Sequence, residues 1–100
     1  MDDRRQHTRH KVKMAVSIRG TSVALVSAYL EDVSLGGARI STDRPTPVGG
    51  TVDILVMRED GPPLSMRARV QRSDPDSMGV QWFGLGEREA LYLLTLMQQG

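Results

Sequence analysis

Apolar residues recur at every second position through most of this chain, and that period builds strands rather than helices. Leu64, Met66, Ala68 and Val70 alternate with Ser65, Arg67, Arg69 and Gln71. Val12, Met14, Val16 and Ile18 alternate with Lys13, Ala15, Ser17 and Arg19, and Val52, Ile54 and Val56 mark one face of residues 51–57. Successive side chains of a strand point to opposite faces, so each run has one side to bury and one to leave in water. Three further segments have the same character: 23–33, rich in β-branched and aromatic residues, 38–42, with Ala38 and Ile40 on one face, and 78–83.

Turn chemistry separates the runs. Gly20-Thr21-Ser22 is a short turn, and residues 43–50 form a loop punctuated by Pro45, Pro47, Gly49 and Gly50. Residues 58–63 carry an Asp60-Gly61 pair, which suits a hairpin connection, and 73–77 is a polar turn. Only after Gly86 does the period change. Residues 87–97 read as a helix, with Glu87 and Glu89 in its first turn, where carboxylates suit the helix dipole. Ala90, Leu91, Leu93, Leu94, Leu96 and Met97 give that helix a broad apolar face. Six short strands with one apolar face close most simply into a small antiparallel barrel, capped or flanked by the helix. The fold class is therefore all-β with one helix, in a single domain of 100 residues.

Charge is distributed unevenly. The chain holds 13 Lys+Arg against 12 Asp+Glu, so it is no polycation, yet Arg4, Arg5, Arg9, Lys11 and Lys13 cluster at one end. Between Asp2 and Lys11 nothing apolar is available to bury, so residues 1–11 read as a flexible basic segment ahead of a barrel at 12–100. A local cluster of this kind suits one anion site better than a nucleic-acid coat. The absence of cysteine removes disulfides and thiolate metal sites. No apolar run approaches the roughly 20 residues needed to span a bilayer, and no signal peptide opens the chain, so a cytoplasmic location is expected.

Two constellations carry chemistry. In Arg5-x-x-x-Arg9, extended by Arg4, each guanidinium offers a planar fork that matches phosphate oxygens or the O6/N7 edge of guanine. In Asp32-x-Ser34-x-x-Gly37, a carboxylate accepts from the N1 and N2 edge of guanine. A hydroxyl and the backbone N–H groups of the Gly36-Gly37 bend suit a phosphate. Each has a plainer reading, a solvated basic tail in the first case and a strand-to-turn transition in the second.

Taken in order, the two motifs resemble the PilZ domain family. Ser34-Leu35-Gly36-Gly37-Ala38-Arg39-Ile40, Met66-Arg67-Ala68-Arg69-Val70, Gly79-Val80-Gln81-Trp82-Phe83 and the closing helix are similar to family stretches as well, so the resemblance spans nearly the whole chain. It implies a six-stranded antiparallel PilZ-type barrel with a C-terminal helix, acting as a receptor for the bacterial second messenger cyclic di-GMP. By the same resemblance, Arg5 and Arg9 grip guanines and phosphates, Asp32 reads a guanine edge, Ser34 hydrogen-bonds the ligand, and Gly36 and Gly37 allow close backbone approach. Arg4, directly before the Arg-x-x-x-Arg motif, implies an intercalated dimer of cyclic di-GMP. His10 stands where the family often has an apolar residue. The ligand is expected to order the arginine segment against the barrel, with the signal passing through an unidentified protein partner. The alternative within the family is an interaction module that works without nucleotide.

Other groupings point elsewhere more weakly. His7 and His10 have only Asp2 and Asp3 as acidic neighbours, so no metal site is assigned. No nucleophile and base share a rigid element, and the paired carboxylates Asp2-Asp3 and Glu59-Asp60 fall on a tail and a hairpin; no enzyme is expected. Tyr29, Trp82, Phe83 and Tyr92 are too scattered for a platform that stacks single-stranded nucleic acid. Trp82 flanks a guanine or sits in the barrel wall. Met57, Met66, Met78 and Met97 are read as core filler.

Overall fold

The alternating runs emerge as strands of one closed barrel. In a computed structural model, which describes residues 10–20, 25–59 and 61–98, the elements are β1 (His10–Arg19), β2 (Leu25–Val33), β3 (Gly37–Ser41), β4 (Thr51–Val56), β5 (Leu64–Asp74), β6 (Ser77–Trp82) and α1 (Glu87–Gln98). All pairings are antiparallel and close in the order β1-β2-β3-β6-β5-β4. Closure removes the exposed edges that an open sheet of this size would present. The expected six-stranded antiparallel barrel with a closing helix is what the chain forms.

The inward residues are those the alternation marks. Val16, Ile18, Val52, Ile54, Val56, Leu64, Met66, Ala68 and Val70 are buried with Leu30, Val33, Ile40 and Met78. Leu93 and Leu96 of α1 join the same cluster, while Leu91 and Leu94 face outward. Burying a Leu or Ile side chain removes it from water for roughly 1.5–3 kcal/mol, so this shared interior is the main support of the fold. Met57 departs from expectation. It lies just past the end of β4 and is 73% exposed, because no strand continues there to turn it inward.

Among the described residues, three bulges interrupt the period and change which residues face outward. On β1, Val12 and Lys13 lie between the paired positions Lys11 and Met14, opposite the single residue Glu31 of β2. On β2, Glu31 is in turn the extra residue against β3, between Leu30 and Asp32. On β5, Gln71 is extra against β6, between Val70 and Arg72. Each bulge shifts the inward phase by one, so Leu30 and Val33 are both buried although an odd number of positions separates them. The third bulge also explains why β5 runs to Asp74 rather than ending near Gln71. The turn between β5 and β6 narrows to Pro75 and Asp76. The expected turn at Thr21-Ser22, the start of the second strand at Val23 and the Asp60 half of the Asp-Gly turn lie outside the described residues.

Candidate functional site

The double irregularity of β2 at Glu31 makes a cleft in the outer wall. Lys11, Val12, Lys13, Glu31, Asp32 and Arg39 line it, around a space of about 440 Å³. Lys11 of β1 and Arg39 of β3 are the register partners of Asp32, so the carboxylate lies between two cations on neighbouring strands. Three cations against two carboxylates leave the cleft net positive, which suits an anion with hydrogen-bond donors for Asp32 to accept.

Lys13 and Glu31 hold the rim. Lys13 Nζ is 3.5 Å from Glu31 Oε2 and lies over the Tyr29 ring, 5.3 Å from its centre. The Ser41 hydroxyl donates to Glu31 Oε2 at 2.6 Å. That hydrogen bond, helped by the charge of Lys13, holds the Glu31 carboxyl below the ordinary carboxylate range despite some opposing desolvation.

Directly after β2 the chain turns through Ser34, Leu35 and Gly36 into β3. Ser34 is buried, and its hydroxyl oxygen accepts from the N–H groups of Gly36 and Gly37, both at 3.2 Å. Its own N–H donates to the Gly37 carbonyl at 2.9 Å. Two bonds then fasten the turn to β6. The Trp82 N–H donates to the Gly36 carbonyl at 3.0 Å, and the Trp82 indole Nε1–H donates to the Ser34 carbonyl at 2.9 Å.

Gly37 is required by the barrel itself. A Cβ there would collide with the Val80 carbonyl oxygen and lie 3.3 Å from the Gln81 Cα, so no larger residue fits against β6. Of the second motif, therefore, Asp32 faces the cleft, whereas the Ser34 hydroxyl and Gly37 are engaged in shaping the turn beside it. The ligand roles expected of Ser34, Gly36 and Gly37 are not visible in these internal contacts. Arg4, Arg5 and Arg9, with His7, lie outside the described residues. His10, the residue after Arg9, pairs with Val33 next to Asp32, so the arginine motif is joined covalently to one side of the cleft. The motif reading missed Lys11, Lys13 and Arg39 as cleft residues, and their signal lay only in cross-strand register. Among the described residues no cluster of His, Cys, Asp and Glu suited to a metal ion occurs, and no helix is long and apolar enough to cross a membrane.

A small closed barrel whose wall carries a cationic cleft beside a serine–glycine turn defines a compact β-barrel domain. The sequence profile of the PilZ domain matches residues 3–99, and the chain belongs to the PilZ domain family. Solved structures share the fold at low identity. The Bacillus subtilis inhibitor of motility, MotI/DgrA, is 17% identical with a TM-score of 0.78, over 98% of this chain and 51% of that one. The PilZ domain of CeSA from a cellulose-synthesising bacterium is 22% identical with a TM-score of 0.72, over 92% and 96% of the two chains. The PilZ domain of Escherichia coli YcgR, solved with c-di-GMP, is 14% identical with a TM-score of 0.78, over 97% and 91%. This chain thus spans about half the length of the Bacillus subtilis protein. Comparison with curated proteins gives no match.

Proposed function

We propose that this chain is a cyclic di-GMP receptor whose ligand enters the cleft at Asp32. The observation that carries the reading is the placement of Asp32 between Lys11 and Arg39, one strand pairing from the point where the arginine motif joins β1. Family membership and the ligand-bound Escherichia coli relative support it.

In this reading Asp32 accepts from the N1–H and N2–H₂ edge of a guanine. Arg5 and Arg9 supply forks to the opposite base edge and to the phosphates, and Lys11 and Arg39 add to the positive field. Ligand binding fixes the arginine segment over the cleft, and Arg4 provides for a second, intercalated ligand. The turn at Ser34, Gly36 and Gly37 keeps Asp32 at its height and presents its backbone to the ligand's edge. The surface completed by ligand and arginine segment is then read by a partner protein. No step in this scheme makes or breaks a covalent bond.

Equilibrium dialysis with cyclic di-GMP tests the reading. The unaltered chain is expected to retain ligand, and Asp32→Ala and Arg9→Ala to lose at least tenfold in affinity, on the order of one charge-assisted contact. Retention by both variants at full affinity would contradict it. Absence of retention by the unaltered, folded chain would favour a module that works without nucleotide.

A further inference from the structure

Another recess, of about 880 Å³, lies between α1 and the connection that follows β4. Met14, Met57, Leu91, Tyr92 and Leu96 give it an apolar lining, and Arg58, Glu59 and Arg88 supply its charge. None of these residues lines the Asp32 cleft. Arg88, Leu91, Tyr92 and Thr95 recur at helical spacing, so one face of α1, about 10 Å long, forms a wall of the recess.

The fold does not account for this surface. Met57 is 73% exposed and Leu91 56% exposed, and both border the one recess. Exposed apolar residues scattered singly are ordinary, whereas two that share a concave surface mark a place of contact. The base between them is already built. The Tyr92 hydroxyl donates to Met14 Sδ at 3.5 Å, and Leu96 is buried in the core. The two cations are uncompensated. Arg58 Nε donates to the Pro62 carbonyl at 3.0 Å, so backbone rather than a carboxylate fixes that guanidinium. Arg88 stands in the first turn of α1, where the helix dipole disfavours a cation. The ion pairs formed among the described residues involve neither arginine.

We propose that this recess docks an acidic amphipathic helix of a partner protein. The apolar residues of that helix enter between Met57 and Leu91, and its carboxylates meet Arg58 and Arg88. A closed barrel has no free strand edge, so an extended peptide finds no backbone ladder to join. A helix instead presents anchors at i, i+3, i+4 and i+7, which match the length of the α1 wall. Unbranched thioethers at Met14 and Met57 adjust to the shape of an incoming side chain. Two arginines against one glutamate leave the recess net positive, which favours an acidic occupant and opposes self-pairing through this face. The proposal does not depend on the receptor reading, because the two surfaces share no residue.

Fluorescence anisotropy without cyclic di-GMP tests the docking. The probe is a labelled helical peptide with leucines at i, i+3, i+4 and i+7 and glutamates and alanines elsewhere. Its counterpart carries lysine in place of each glutamate. The acidic peptide is expected to bind, and the basic one to bind roughly tenfold more weakly or not at all. Reversing both charges, Arg58→Glu with Arg88→Glu, is expected to invert that preference. Leu91→Gln, at an exposed position, is expected to weaken the acidic peptide roughly tenfold, with circular dichroism confirming the fold. Failure of the acidic peptide to bind, equal binding of the two peptides, or an unchanged preference in the charge-reversed variant would overturn the proposal. Sedimentation showing a dimer of the unaltered chain that Leu91→Gln disperses would assign this face to a second copy and overturn it too. Each of these failures would leave the cyclic di-GMP reading standing.

Discussion

The indole N–H of Trp82 donates to the main-chain oxygen of Ser34 at 2.9 Å, tying the last strand of the barrel to the turn directly after β2. The bond joins residues 48 positions apart and places a rigid aromatic strut behind the cleft. Sequence offered two roles for Trp82, beside a guanine or in the wall. Its hydrogen bond and its packing against the core put it in the wall.

Trp82→Phe keeps most of the apolar contact and removes the donor. Leaving the Ser34 carbonyl without this partner is expected to cost about 1–3 kcal/mol, read by urea denaturation. Because the same bond holds the turn, cyclic di-GMP affinity is expected to fall as well, although Trp82 itself does not touch the ligand in this account. Stability equal to that of the unaltered chain would show the bond to be dispensable.

Gly37→Ala sets a methyl group against the Val80 carbonyl. Neither backbone strand yields cheaply, so a loss of roughly 1–3 kcal/mol is expected. For a domain of this size that corresponds to a fall of at least ~4 °C in the thermal midpoint. An unchanged midpoint would mean that β3 and β6 do not pack this closely.

Ser34→Ala removes the acceptor used by the Gly36 and Gly37 N–H groups. The expected result is a stability loss of about 1–3 kcal/mol, visible without any ligand. A hydroxyl needed only for ligand contact would leave the free protein's denaturation curve where it was, so this variant separates the two roles.

Asp32→Asn retains shape while replacing a carboxylate acceptor by an amide. Affinity for cyclic di-GMP is expected to drop roughly tenfold or more, as for other losses of a charge-assisted bond. Fluorescence anisotropy with a labelled ligand would show it, and unaltered affinity would remove Asp32 from the site.

Glu31 gives the pH dependence a sign. Its carboxyl is held below the ordinary 4.5, chiefly by the Ser41 hydroxyl and then by Lys13. A lowered folded-state value means that the contribution is fully present above the unfolded value and is lost as pH falls through the folded one. Stability is therefore expected to decline less steeply below about pH 5 in Glu31→Gln than in the unaltered chain. Parallel curves for the two proteins would contradict this.

Most of the barrel was legible because alternation and burial coincide wherever strands are regular, as in 51–56 and 64–70. Legibility failed at the bulges. One extra residue flips every later side chain, so the continuation of β5 to Asp74 could not be read past Gln71, and residues 73–77 read as a polar turn. The cleft was half legible for a related reason. Asp32 stood out through its motif, but Lys11 and Arg39 become its neighbours only through strand register, which the linear sequence does not display. The packing of Gly37 against β6 was not legible because a close approach looks alike in sequence whether a ligand or another strand does the approaching.

The central claim is that cyclic di-GMP enters the cleft where Asp32 lies between Lys11 and Arg39. Titrating the ligand into ¹⁵N-labelled protein and monitoring the amide resonances tests it most directly. The largest shifts are expected at Lys11, Lys13, Asp32 and Arg39 and through the turn at 34–37. A spectrum that does not change, or shifts confined to the outer face of α1 around Leu91 and Leu94, would contradict the account.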